Sequence, residues 1–201
     1  MATIVIFGAT GTTGLCATEA AVKKGLVVRA LLRDPSKLSE SLSKQVETIQ
    51  GNILNYDDVF KTVQGTSAVI VALGTRHDLK PTSDLSEGLK NIVKAMKNAN
   101  VEVVSICLSA FLFDGMNDRV PSKFKDITEE HRRMYEIIKD SGLKYVAVFP
   151  PHIADQPSST FEVTFNKYIG RIVSKYDLGQ FLVDAISQPN YYGQVMGIVS
   201  K

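Results

Sequence analysis

Cysteine is scarce in this chain of 201 residues: Cys16 and Cys107 stand alone. Two distant thiols supply neither a disulfide framework nor the grouped ligands of a metal site, so no metal is expected. A surplus of charge is missing too. The formal net charge is +2, with Lys and Arg scattered along the chain rather than run together. That excludes the basic footprint of a nucleic-acid binder. No apolar run reaches the ~20 residues a membrane helix needs, and no charged leader with a cleavage site precedes the first apolar segment. Repeats, low-complexity tracts and linkers are absent as well. The expectation is therefore one domain over residues 1–201, cytoplasmic and away from the membrane, with hydrophobic content of 44% to build its core.

What is present begins at residue 4. The run Ile4-Val5-Ile6-Phe7 breaks into Gly8-Ala9-Thr10-Gly11-Thr12-Thr13-Gly14, and residues 15–24 then read as a helix. Strand, glycine turn and helix form the opening unit of a dinucleotide-binding sheet. Gly8 supplies the turn, Gly11 lets backbone N–H groups approach a pyrophosphate, and Gly14 lets helix and strand pack closely. The phosphates then lie at a helix N-terminus, where free amides favour anions.

Strand-like segments follow at 27–32, 46–53, 67–73, 101–108, 145–149 and 195–199. Helical spacing predicts helices over 57–63, 84–99, 127–140 and 178–186. Segments 160–165 and 170–173 are expected to pair as an edge ribbon. Regular alternation of strand and helix predicts an α/β fold: a single-domain, doubly wound, Rossmann-like parallel sheet with helices on both faces.

In such a sheet, ligands lie beyond the carboxyl ends of the strands. After the second strand, Arg33 and Asp34 are adjacent at the position that distinguishes the two nicotinamide dinucleotides. Arg33, with Ser36 and Lys37, suits the 2′-phosphate of NADPH. Asn52 and Ile53 after the third strand are candidates for the adenine border. Gly74 and Thr75 after the fourth are candidates for the ribose or pyrophosphate.

Ser109 ends the fifth strand, where short-chain dehydrogenases carry an active-site serine. Tyr135 and Lys139 have the Tyr-x-x-x-Lys spacing of those enzymes. However, the helix tail after them aligns with relatives whose tyrosine lies about two turns earlier, at Thr128, with Arg132 at the lysine position. A seven-residue shift displaces a side chain ~10 Å along a helix, too far for proton transfer. His152, held after Pro150-Pro151, is the stronger candidate beside the nicotinamide. His131 sits on an apolar helix face and reads as a core histidine. Phe111, Phe113 and Pro151 are candidates for an apolar rim around a flat substrate, or for core.

Five segments then occur in order: Phe7-Gly-Ala-Thr-Gly-x-Thr-Gly14, Leu73-Gly-Thr-Arg76, Ser109-Ala-Phe-Leu112, Gly142-Leu-Lys-Tyr-Val-Ala-Val148 and Pro150-Pro-His-Ile153, the last followed by Asp155-Gln-Pro157. On these, nearly the whole chain resembles the biliverdin-IXβ reductases, also called NADPH-dependent flavin reductases, an atypical short-chain dehydrogenase family. The resemblance implies a monomeric, cytoplasmic reductase that uses NADPH and takes free flavins or non-α biliverdins as substrates. It carries cofactor contacts onto Gly8, Thr10, Gly11, Thr13, Arg33, Ser36, Leu73 and Gly74, with Thr12, Arg76 and Ile153 beside them. Ser109 and His152 would line the acceptor site. The chain departs from the family at Lys37, where arginine is expected, and at Asn52, where aspartate is. It also lacks the tryptophan that follows Ser-Ala-Phe-Leu, and its segment 113–119 differs. Two other functions stay open: an NADP(H)-sensing regulator without chemistry, and a short-chain alcohol or ketone dehydrogenase acting through Tyr135.

Overall fold

Ile4, Val5, Ile6 and Phe7 are each no more than 1% exposed. A strand buried on both faces requires helices above and below it. The computed structural model describes residues 2–75 and 78–201 and has that layering. In chain order the elements are β1 (Thr3–Phe7), α1 (Thr12–Lys23), β2 (Val27–Leu32), α2 (Glu40–Ser43), β3 (Val46–Gln50), α3 (Tyr56–Val63), β4 (Ala68–Val71) and α4 (Asp84–Asn98). They continue with β5 (Val103–Cys107), α5 (Lys125–Lys139), β6 (Lys144–Phe149), β7 (His152–Ala154), β8 (Phe161–Phe165), β9 (Ile172–Ser174), α6 (Lys175–Ala185) and β10 (Gln194–Ser200).

The main sheet has the order β3-β2-β1-β4-β5-β6-β10-β8. All its pairs are parallel except that of β8 with β10. Side chains alternate between faces along each strand. Val5 and Phe7 join Leu89, Ile92, Met96, Met134 and Ile138 of α4 and α5 on one side. Ile4 and Ile6 join Ala17, Leu178 and Leu182 of α1 and α6 on the other. Gly179 brings those two helices together, since a Cβ there would lie 2.7 Å from the Ala17 nitrogen. Arg29 interrupts an apolar strand for a reason of its own. Its guanidinium donates to the Thr62 and Gln64 carbonyls at 3.0 and 2.9 Å. Those are the carbonyls that α3 leaves unpaired at its C-terminus.

Three expectations are corrected. The third strand stops at Gln50, because the Asn52 amide donates to Asp58 and its side chain accepts from Leu54, turning the chain away. Segments 160–165 and 170–173 do not pair with each other. β8 pairs antiparallel with β10, Phe161 opposite Ser200, and β9 pairs in parallel with β7 as a separate two-stranded sheet. His152 therefore begins a strand rather than a loop. Among the described residues no helix is long and apolar enough to cross a membrane, and no cluster of side chains suits a metal ion.

Candidate active site

The glycine turn is built by steric necessity. Gly8 has φ +85°, and a Cβ on it would lie 2.2 Å from the Ala72 carbonyl oxygen; a Cβ on Gly14 would lie 2.1 Å from the Gly8 oxygen. Both positions therefore exclude any side chain. Gly11 differs: it is the N-cap of α1, and its nearest contact to a built Cβ is 3.3 Å. No side chain caps α1, and its first turn holds no acid. The N–H groups of that turn are thus left to an external anion.

This turn opens into a cleft of about 840 Å³ along the carboxyl ends of the strands, centred where the strand order reverses between β1 and β4. Gly8, Thr10, Gly11, Thr12 and Thr13 form its floor, with Arg33 and Lys37 at one end beyond β2. Asn52 and Ile53 follow β3 into the wall, and Leu73, Gly74 and Thr75 follow β4; Ile153 of β7 lines it too. Arg76 lies outside the described residues. Asp34 caps its own 3₁₀ turn, accepting from the Ser36 amide at 3.1 Å and the Ser36 hydroxyl at 2.6 Å. The Ser36 hydroxyl proton thus goes to Asp34, and Ser36 is not among the cleft-lining residues. Arg33 is exposed at the mouth and, among the described residues, makes no ion pair.

Gly14, Ser109, Phe111, Phe113, Pro151 and His152 do not line the cleft either. Gly14 is buried in the packing of α1 on the turn. Phe113 is core: it is 7% exposed and meets Phe149 edge-on at 5.0 Å. Phe111 stacks on Phe124 at 6.4 Å. Ser109 caps a 3₁₀ turn, accepting from the Phe111 amide at 3.3 Å, and lies two residues beyond the cleft-lining Cys107. His152 is exposed, with its amide on the Arg171 carbonyl.

The far end of the cleft comes from α5 and the turn before it: Phe124, Ile127 and His131. His131 is the functional candidate that spacing alone assigns to the core. Its i, i+3, i+7 relation to Met134 and Ile138 is the same whether the face meets core or a cleft wall. Burial pushes its pKa down to about 4, with the Glu130 charge opposing in part, so the imidazole is neutral at pH 7. Cys107, which also lines the cleft, is pushed up to about 12 by burial and is an inert thiol. Tyr135 packs its ring against Phe149 at 5.2 Å, away from the cleft. Burial raises its pKa, as do the charge and hydrogen bond of Tyr145, the wrong direction for a proton-transferring tyrosinate. Thr128 is buried, and Arg132 donates to Asn117 at 2.6 Å.

A histidine held neutral lowers stability in acid. Between pH ~6.5 and ~4 the unfolded chain takes up a proton that the native state refuses. Stability falls as pH drops through this window, by up to about 3 kcal/mol. Urea unfolding at pH 7 and pH 4 is expected to show that loss in the wild type and a much smaller one in His131→Gln. Equal losses would mean His131 titrates normally.

The NAD(P)H-binding family matches residues 8–189. An oxidoreductase of Pestalotiopsis microspora is 22% identical, over 92% of this chain and 79% of its own length. A Rossmann-fold NAD(P)-binding family protein of Shigella flexneri superposes with a TM-score of 0.79 at 24% identity, covering 100% of this chain and 94% of its own. A short-chain dehydrogenase/reductase of Veillonella parvula, solved in complex with NADP, gives 0.81 at 16% identity, covering 98% and 94%.

Proposed function

The chain belongs to the NAD(P)H-binding family, and from that premise we propose that it is an NADPH-dependent reductase of planar conjugated acceptors, namely free flavins and linear tetrapyrroles such as biliverdin-IXβ. The carrying observation is the contrast between the two ends of the cleft. One end holds the cations Arg33 and Lys37 with the open amides of α1; the other holds Phe124, Ile127 and neutral His131, and among the described residues no Tyr–Lys pair lines it. Such a site suits hydride delivery to an electron-poor acceptor that needs little acid–base help. When bound, NADPH supplies the hydride; the protein supplies position and a dry surface.

The chain's own residues have these parts. Thr12 and Thr13 present the first amides of α1 to the pyrophosphate, and Arg33 pairs with the 2′-phosphate while Asp34 is engaged by Ser36. Phe124 and Ile127 exclude water from the acceptor face. His131, as a neutral imidazole, holds a hydrogen bond to a heteroatom of the acceptor. Ser109, whose oxygen accepts from Phe111, keeps its proton for donation at the rim; His152 stands exposed beyond it and admits a larger acceptor. Solvent supplies the final proton. A monomer in the cytoplasm fits this small-molecule chemistry and belongs to the same proposal.

The test is NADPH oxidation followed at 340 nm with FMN, FAD and a biliverdin-β isomer offered separately, and NADH as control. Turnover with NADPH well above NADH supports the reductase. Tight NADPH binding without oxidation by any acceptor would replace it with an NADP(H) sensor. Tyr135→Phe is expected to keep full activity, since that half-buried ring packs on Phe149 and does not line the cleft.

A further inference from the structure

Glu130 has a fully buried carboxylate, 0% exposed, that does not line the cleft. Burying a charge costs several kcal/mol and is tolerated only with close partners. Packing does not explain it, because Met134 and Ile138 already seat α5 against the core. Its partners do explain it. One oxygen accepts from the Ser86 amide at 2.7 Å and the other from the Ser86 hydroxyl at 3.0 Å. Arg133 donates to that second oxygen through Nε and Nη2 at 2.9 and 2.5 Å, and Nη2 also reaches the Thr82 carbonyl at 2.9 Å.

Ser86 is the third residue of α4, a helix whose N-cap, Ser83, makes no side-chain cap hydrogen bond. The Thr82 hydroxyl accepts from the Asp84 amide at 3.1 Å, and Glu130 from α5 caps the Ser86 amide, which Ser83 leaves uncapped. Together Glu130 and Arg133 grip both ends of the turn 82–86. Thr82, Asp84 and Leu85 of that turn line the cleft, and so does His131, the residue next to Glu130. One turn of α5 therefore carries a cleft group and also fixes the wall facing it.

We propose that Glu130 and Arg133 are positioning residues that set the gap between the α4 entrance and His131, and so the fit of the nicotinamide half of NADPH. This rests on the reading of the cleft as a pyridine dinucleotide site. Among the described residues Arg33 and Lys37, beyond β2, make no bond to this pair, so the proposal leaves the phosphate end unchanged.

The experiment compares binding of NADPH, by its fluorescence, with binding of 2′,5′-ADP, by calorimetry, in the wild type, Glu130→Gln and Arg133→Lys. The second variant keeps a charge beside Glu130 but loses the planar fork that also reaches Thr82. NADPH affinity is expected to fall ~10-fold in Glu130→Gln and ~3-fold in Arg133→Lys, with 2′,5′-ADP within about twofold of wild type in both. Melting temperatures are measured alongside, and if Glu130→Gln does not fold, Arg133→Lys alone decides. Equal weakening of both ligands, or unchanged NADPH affinity, overturns the inference and leaves the cofactor site standing. A wild type that binds neither ligand overturns both.

Discussion

Arg33→Ala is expected to raise the dissociation constant for NADPH by ~10- to 100-fold and to leave that for NADH within about twofold. The magnitude is that of a charged hydrogen-bonded pair, about 1.5–3 kcal/mol. Selectivity follows from the division of labour at the end of β2. An acid there would favour NADH by accepting from the ribose 2′-hydroxyl. Asp34 instead accepts from the amide and hydroxyl of Ser36 within its own turn, and Lys37 stands 4.0 Å from it. Among the described residues, Arg33 is thus the group at the cleft mouth able to meet a phosphate with a bidentate fork. Fluorescence titration with both dinucleotides checks this. A parallel loss of NADPH and NADH would make Arg33 a general contact to the dinucleotide, and the NADPH preference would have to come from elsewhere.

Gly8→Ala is expected to have the largest effect on stability, more than about 3 kcal/mol. Two penalties coincide. The φ of +85° costs about 1 kcal/mol for a residue with a side chain. The new Cβ would also stand 2.2 Å from the Ala72 carbonyl oxygen, a backbone atom that cannot rotate away. The strands must then separate, in a sheet centre whose residues Val5, Phe7 and Val71 are fully buried. Overpacking of this kind costs roughly 1–3 kcal/mol or more. At 2–4 °C per kcal/mol for a chain of this size, the melting temperature should drop by roughly 10 °C. Gly74→Ala is the matched control. No atom lies within 4 Å of its built Cβ, so stability should change by less than about 0.5 kcal/mol. If both variants melt alike, the close approach of β1 to β4 is not what holds that turn.

The sheet and its helices are legible in the sequence because burial on both faces makes strands read as apolar runs, as at 68–71, and because α4 and α5 repeat their apolar residues at helical spacing. Shorter elements carry no such signal. β7 and β9 have three residues each, fewer than any periodicity needs, and the partner of β8 is not legible because alternation names a strand but not its neighbour. At the site, the glycines and Arg33 are legible because their positions follow from one turn and one strand end. His131 is not: a cleft wall and a core face share one helical pattern. Phe113, which the sequence leaves open between rim and core, is turned inward by the fold against Phe149 and Tyr168. Glu130 is invisible for a further reason. Nothing in a run of charged residues marks which one a distant serine will bury.

The place of β10 has a consequence for how this chain comes to be folded on the ribosome. β8 pairs in the main sheet only with β10, and β10 lies between β6 and β8. A nascent chain that has delivered everything through α6 still has the outer edge of β6 open and β8 unpaired. Residues 194–200 close both at once, and the Ser200 hydroxyl then donates to the buried Asp177 at 2.5 Å. The outer part of the sheet, β10 with β8, is therefore built only once residues 194–200 have been made. Until then the β6 edge, with Val146, Ala147 and Val148, is an open template for other strands.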